Sequence, residues 1–176
     1  MSGSKLTHNR GKISVTVTLC FLFSCATFAA ESSPQVTLDA NKANPRVVEP
    51  LTQRAIIRDY KFAWGNIDSA LAANSHTPLN GLLAGTASDW LKGVVDGQRQ
   101  SGVTSRYLNQ NHKLEAVFYA PAGDVIELHD TAEYDFEIHD GGKAVHSEHA
   151  IVHYVVLMTP AADRWVIRQL QSVLQF

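Results

Sequence analysis

The chain has 176 residues, a mass of 19.3 kDa and a formal net charge of -2, with 45% hydrophobic and 18% charged residues. That is enough chain for one sizeable core, too apolar for disorder, and without the basic surplus that binding to nucleic acid phosphates requires. Its two cysteines, Cys20 and Cys25, exclude a disulfide framework and a four-thiolate zinc site.

The first twelve residues carry Lys5, Arg10 and Lys12 and no acid, and an apolar run follows from Ile13 to Phe23. Small residues then extend from Ser24 to Ala30, interrupted by Phe28. Positive start, short apolar middle and small-residue end predict a secretory signal peptide over residues 1–30, cut after Thr27-Phe28-Ala29 or Ser24-Cys25-Ala26. Two alternatives share this segment. Residues 13–30, if retained, sit at the lower limit for a membrane span. Leu22-Phe23-Ser24-Cys25 also has the outline of a lipobox, in which Cys25 would be acylated. Cleavage removes three positive charges and no acid, taking the net charge from -2 to -5. Extracytoplasmic placement, periplasmic or secreted, is the expectation, with a membrane anchor only through this segment.

Residues 31–47, with Ser32, Ser33, Pro34, Asn41, Asn44 and Pro45, show no apolar period and read as a flexible linker. The folded domain is expected over 48–176. From Leu51 to Asn74 the residues Ile56, Tyr60, Ala63, Ile67, Ala70 and Leu71 recur at three- and four-residue steps, widened by Ile57 and Trp64. That predicts an amphipathic helix. Thr77-Pro78 opens a short second helix ending at Gly85, and a third runs from about Ala87 to Gln100, with Gly102 as its stop. Beyond Gly102 the period becomes two. Strands are predicted over Leu114–Ala120, Val125–His139, Ala144–Met158 and Arg164–Leu174. The fold class is therefore α+β, with N-terminal helices packed on a curved antiparallel four-stranded meander.

On Val125–His139 the apolar set is even-numbered: Ile126, Leu128, Ala132, Tyr134, Phe136 and Ile138, with Asp130 as the single charge. Closing the next hairpin with Gly141-Gly142 as a two-residue loop sets Asp140 against Lys143. Tyr134 then faces His149, Ala132 faces Ile151 and Asp130 faces His153. Pairing Leu157 with Trp165 in the last hairpin places Gln169 beside His153. Asp130, His153 and Gln169 would thus cross an apolar face, with Tyr134, His149, Trp165 and Ile151 around them. An aspartate holding an imidazole in one tautomer is a proton-transfer pair, so Asp130 and His153 are the candidate catalytic residues. The other five would line a pocket. The same two side chains could equally satisfy each other as a structural pair in the core. Five histidines between His129 and His153 suggest a metal, but His149 and His153 stand about 13 Å apart along one strand at about 3.3 Å per residue. Neither metal nor cofactor is expected.

Trp64, Pro78-Leu79, Leu82-Leu83 before Gly85, Trp90, Gly102 with Tyr107, His153-Tyr154 and the closing Arg164-Trp165-Val166-Ile167 carry a family resemblance. Over roughly Leu51–Leu174 the chain resembles the nuclear-transport-factor-two-like superfamily, the SnoaL-like or cystatin-like cone. More narrowly it looks like the IMS-type domain of chloroplast division proteins and their bacterial relatives. The resemblance implies a cone-shaped fold with a pocket between sheet and helices, and a homodimer formed through the sheet. The superfamily holds both enzymes and interaction domains, so the fold does not choose between them. The favoured expectation is an exported, non-catalytic domain that binds a protein partner or a small apolar ligand. Alternatives are a cofactor-independent lyase or isomerase using the Asp–His pair, and a tethered periplasmic subunit of a secretion assembly.

Overall fold

The structure is a computed structural model and describes residues 33–176. The predicted signal peptide, anchor and lipobox lie outside the described residues. The elements run β1 (Gln35–Asp39), β2 (Asn44–Pro45), α1 (Pro50–Ala72), a 3-10 turn at Thr77–Leu79, α2 (Gly85–Ser101), β3 (Val103–Tyr119), β4 (Ile126–Asp140), β5 (Lys143–Pro160) and β6 (Trp165–Val173). The α+β class holds, but the sheet has six strands and is mixed. Its order is β1-β3-β4-β5-β6, with β2 also on β3; β1 and β2 run parallel to β3 and the rest are antiparallel.

The residues read as a linker are thus partly sheet. Val36 and Leu38 of β1 pack against the core, and Val48 is buried. Five residues with only two inward apolar side chains are too short to display a period, and a parallel edge partner lies far away in sequence. The short second helix shrinks to one turn at Thr77–Leu79, because Gly81 takes φ +73° and the chain leaves helical space.

Helix α1 follows its apolar stripe. Ile56, Tyr60, Ala63, Trp64, Ile67, Ala70 and Leu71 are all buried, and Pro50 occupies the first turn, where its missing N–H is not needed. Helix α2 buries Ala87, Leu91 and Val95 and ends at Gly102, whose φ of 72° is the left-handed cap conformation. Both helices pack on β3 and β6, so one sheet face is covered. On that face lie Leu114, Ala116, Ile126, Leu128, Ala132, Tyr154, Val156, Met158 and Ile167. Among the described residues no helix is long and apolar enough to cross a membrane.

Strand β3 begins eleven residues before the predicted Leu114. Its first part turns Ser105, Gln110 and His112 toward the interior, so it lacks the apolar alternation of a half-buried strand. A register shift between Leu108 and Asn111, with Asn109 at φ 53°, bends it there.

Candidate functional site

The register of β4 on β5 decides what meets what. The hairpin opens as predicted, with Asp140 opposite Lys143 and His139 opposite Ala144. Next, however, Ile138 pairs with His146, leaving Val145 as an extra residue on β5. This bulge displaces every later pair by one position and reverses the face of β5. Asp130 faces Tyr154, and His153 faces Thr131. The even residues Tyr154, Val156 and Met158 point inward, where the unbulged register puts odd ones.

The predicted Asp130–His153 pair is therefore not formed. His153 is half-buried on the outer face, its Nδ1 3.2 Å from Thr131 Oγ1 and its ring edge-on to Phe176 at 4.9 Å. Asp130 is buried on the inner face with zero exposure. Tyr134 faces Ala150 and places its Oη 3.0 Å from Tyr154 Oη. His149 is exposed, its Nδ1 2.9 Å from Asp135 Oδ1. Ile151 is 62% exposed. Trp165 pairs with Pro160 rather than Leu157, because the β5–β6 turn is tight, with Ala161 N–H donating to Arg164 O at 2.7 Å. Gln169 consequently faces Leu157 and lines a shallow hollow beside Gly85 and Thr86. Trp165 packs against the core edge near Tyr119, with ring centroids 6.3 Å apart. The seven predicted residues do not share a pocket.

Asp130 has other partners, drawn from two elements. Tyr60 Oη of α1 donates to Asp130 Oδ2 at 2.7 Å, and His112 Nδ1 of β3 lies 2.8 Å from the same oxygen. His112 Nε2 lies 3.5 Å from Gln110 Oε1. Trp64 closes over the imidazole with ring centroids 4.5 Å apart, and Tyr60 meets its edge at 5.5 Å. His112, Tyr60 and Asp130 all have zero exposure. Burial, reinforced by the Asp130 charge, pushes the Tyr60 phenol well above its ordinary range, so it stays a donor. Carboxylate, imidazole and phenol could move a proton, but none of the three is exposed to solvent. What they do is fasten α1 to the sheet. His112 escaped the sequence reading because it lies in a stretch without apolar alternation, and only the β3–β4 pairing brings it near Asp130.

A concavity with a volume of about 620 Å³ lies elsewhere among the described residues, beside α1. Its walls come from α1 (Arg58, Lys61, Phe62), from the start of β3 (Arg106, Tyr107) and from the β5–β6 turn (Asp163, Arg164). Two aspartates brace these walls. Asp59 Oδ2 accepts the Trp165 N–H at 2.8 Å while Arg58 Nε donates to its Oδ1 at 2.7 Å. Asp68 Oδ1 accepts the Tyr107 N–H at 2.7 Å, and Arg106 Nη2 donates to Oδ2 at 3.2 Å. The readable signal was Asp59 and Asp68, two acids flanking an apolar helical stripe. Among the described residues no group of three or more histidine, cysteine, aspartate or glutamate side chains could hold a metal.

Solved structures include likenesses to this fold. The chain is similar in fold to the crystal structure of the intermembrane space region of chloroplast protein ARC6. The TM-score is 0.58 at 12% sequence identity, covering 68% of this chain and 95% of that one. No family model matches, and no curated protein matches. A likeness at this identity speaks for the fold alone. It supports the resemblance to the IMS-type domain at the level of architecture and leaves the wider superfamily assignment as an expectation.

Proposed function

We propose that this chain is an extracytoplasmic, non-catalytic interaction domain that docks a protein partner in the groove beside α1. The observation that carries this reading is a filled interior. The acid and imidazole nearest to catalytic chemistry, Asp130 and His112, have zero exposure and lie beneath Trp64. The concave surface open to solvent holds arginines, a lysine and an exposed phenylalanine. Such groups recognise better than they catalyse, since Arg and aromatic side chains are the usual anchors of interfaces. The fold likeness to the intermembrane space region of chloroplast protein ARC6 supports an extracytoplasmic role. So does the signal-like segment over residues 1–30. The lyase or isomerase reading has lost its Asp130–His153 pair and is not pursued.

A photoreactive side chain at Phe62, introduced into the full-length chain in its native cells, tests the docking surface. A discrete adduct from position 62 and none from position 151 on the outer sheet face is the expected result. Adducts from position 151 alone would move the interface to the sheet. Mass measurement of the recovered protein shows whether residues 1–30 have been removed.

A further inference from the structure

We propose that the groove beside α1 binds a short acidic protein segment that places one aromatic or large apolar side chain against Phe62. This rests on the docking role proposed above and adds the chemistry of the partner.

The argument is which charges the groove presents. Four cations line it, Arg58, Lys61, Arg106 and Arg164, against the carboxylates Asp59, Asp68 and Asp163. Two of the three carboxylates are turned into the protein. The Asp59 side chain is 7% exposed and bound to the Trp165 backbone N–H; that of Asp68 is 10% exposed and bound to the Tyr107 N–H. Lys61 is exposed, Arg58 is 64% exposed and Arg164 34%, while Arg106, at 26%, is half-buried against Asp68. Asp163 is the one acid fully presented. Among its described lining residues the groove holds one more cation than acid, Lys61 having no carboxylate of its own beside the three arginine–aspartate pairs, in a chain of net charge -2. Field lines concentrate in such a concavity and select an anionic partner.

The aspartates also orient the cations. Arg58 engages Asp59 through Nε and Nη2, and Arg164 engages Asp163 through the same two nitrogens. Each two-point pair fixes the guanidinium plane and reduces the entropy lost when a ligand carboxylate binds. Phe62 follows Arg58 by four residues on α1, so the two side chains are neighbours along the helix. The Phe62 ring is 52% exposed, with the Arg164 guanidinium 6.0 Å from its centroid. An apolar surface ringed by cations matches an apolar side chain flanked by carboxylates. At about 620 Å³ the groove falls within the range of enclosed ligand clefts, roughly 300–1,000 Å³. A flat lipid surface cannot enter such a space.

Selection of random twelve-residue peptides on the immobilised full-length chain tests the inference. Enrichment of Asp and Glu around a Phe, Tyr, Trp or Leu is expected. A synthetic peptide of the leading sequence should lose on the order of tenfold in affinity or more against Lys61→Glu/Arg164→Glu, and again against Phe62→Ala. Its affinity should also fall as salt rises. The substituted side chains lie at the surface, and unchanged melting temperatures would confirm intact folding. Basic or uncharged peptides that depend on Phe62 would overturn the acidic partner and leave the docking role standing. So would competition by anionic lipid vesicles as strong as by the peptide itself. Acidic peptides indifferent to the Lys61/Arg164 reversal would overturn the inference. Peptides none of which depends on Phe62 would sink both the inference and the groove as an interface.

Discussion

Asp130 and His112 contribute to stability as mutual partners through Asp130 Oδ2, while Asp130 Oδ1 is buried with no hydrogen-bond partner among the described residues. Each is buried, and each is held by the other at 2.8 Å. Removing one partner strands a polar group in the core, which costs about 3–5 kcal/mol when the pair is ionic. His112→Ala should therefore lower the urea midpoint sharply, whereas His153→Ala, on the outer face, should cost no more than about 0.5 kcal/mol. Equal losses would show that the assigned faces are wrong. On the same outer face His149 is tied to Asp135. The hydrogen bond it donates to Asp135 raises the imidazole above its usual value near 6.5. Hydrogen bonds from Asn109 and then His149 lower the Asp135 carboxyl. The His149 contribution is complete below the unfolded imidazole value and is lost as pH rises through the raised folded one. The Asp135 contribution is present above its unfolded value near 3.8 and is lost as pH falls through the lowered folded one. The pair thus acts between these limits. A histidine titration by NMR should place the His149 midpoint above about 6.5 and return it toward that value in Asp135→Asn.

At the scale of elements, the helices were legible and the strand registers were not. Helix α1 has a wide apolar stripe, and α2 ends at a glycine whose positive φ costs that residue nothing. Nothing stands within 4 Å of a Cβ built at Gly102, so Gly102→Ala should cost about 1 kcal/mol through backbone strain alone, measured as a lower melting temperature. Strand faces depend on single residues. The apolar set of β4 was correct because β4 carries no insertion, and Ile126, Leu128, Ala132 and Tyr134 are buried together. Val145 reversed β5, and no local feature marks it, since a bulge is settled by which residues β4 buries opposite. The bulge also has a use. Beyond His153 toward the hairpin, β5 has no strand on its other side among the described residues. Bulges and charged side chains such as Glu148 and Lys143 discourage such an edge from pairing with other chains.

For the whole molecule, β1 matters more than its five residues suggest. It pairs with Asn111–Glu115 of β3, next to His112, and brings Val36 and Leu38 to the core. A chain beginning at Val48 would expose that edge and those side chains. It should melt well below a chain beginning at Ser33, or aggregate, in a thermal scan read by circular dichroism. Equal melting temperatures would restore residues 31–47 to the status of linker. What the sequence alone determined is what one segment can state by itself: the α+β class, the helical stripe of α1, the cap at Gly102, the inward face of β4 and the burial of Asp130. Only the tertiary structure decided the partners of Asp130, the parallel edge strand and the groove with its outward cations. Each of these joins residues tens of positions apart, and a single inserted residue is enough to exchange one partner for another.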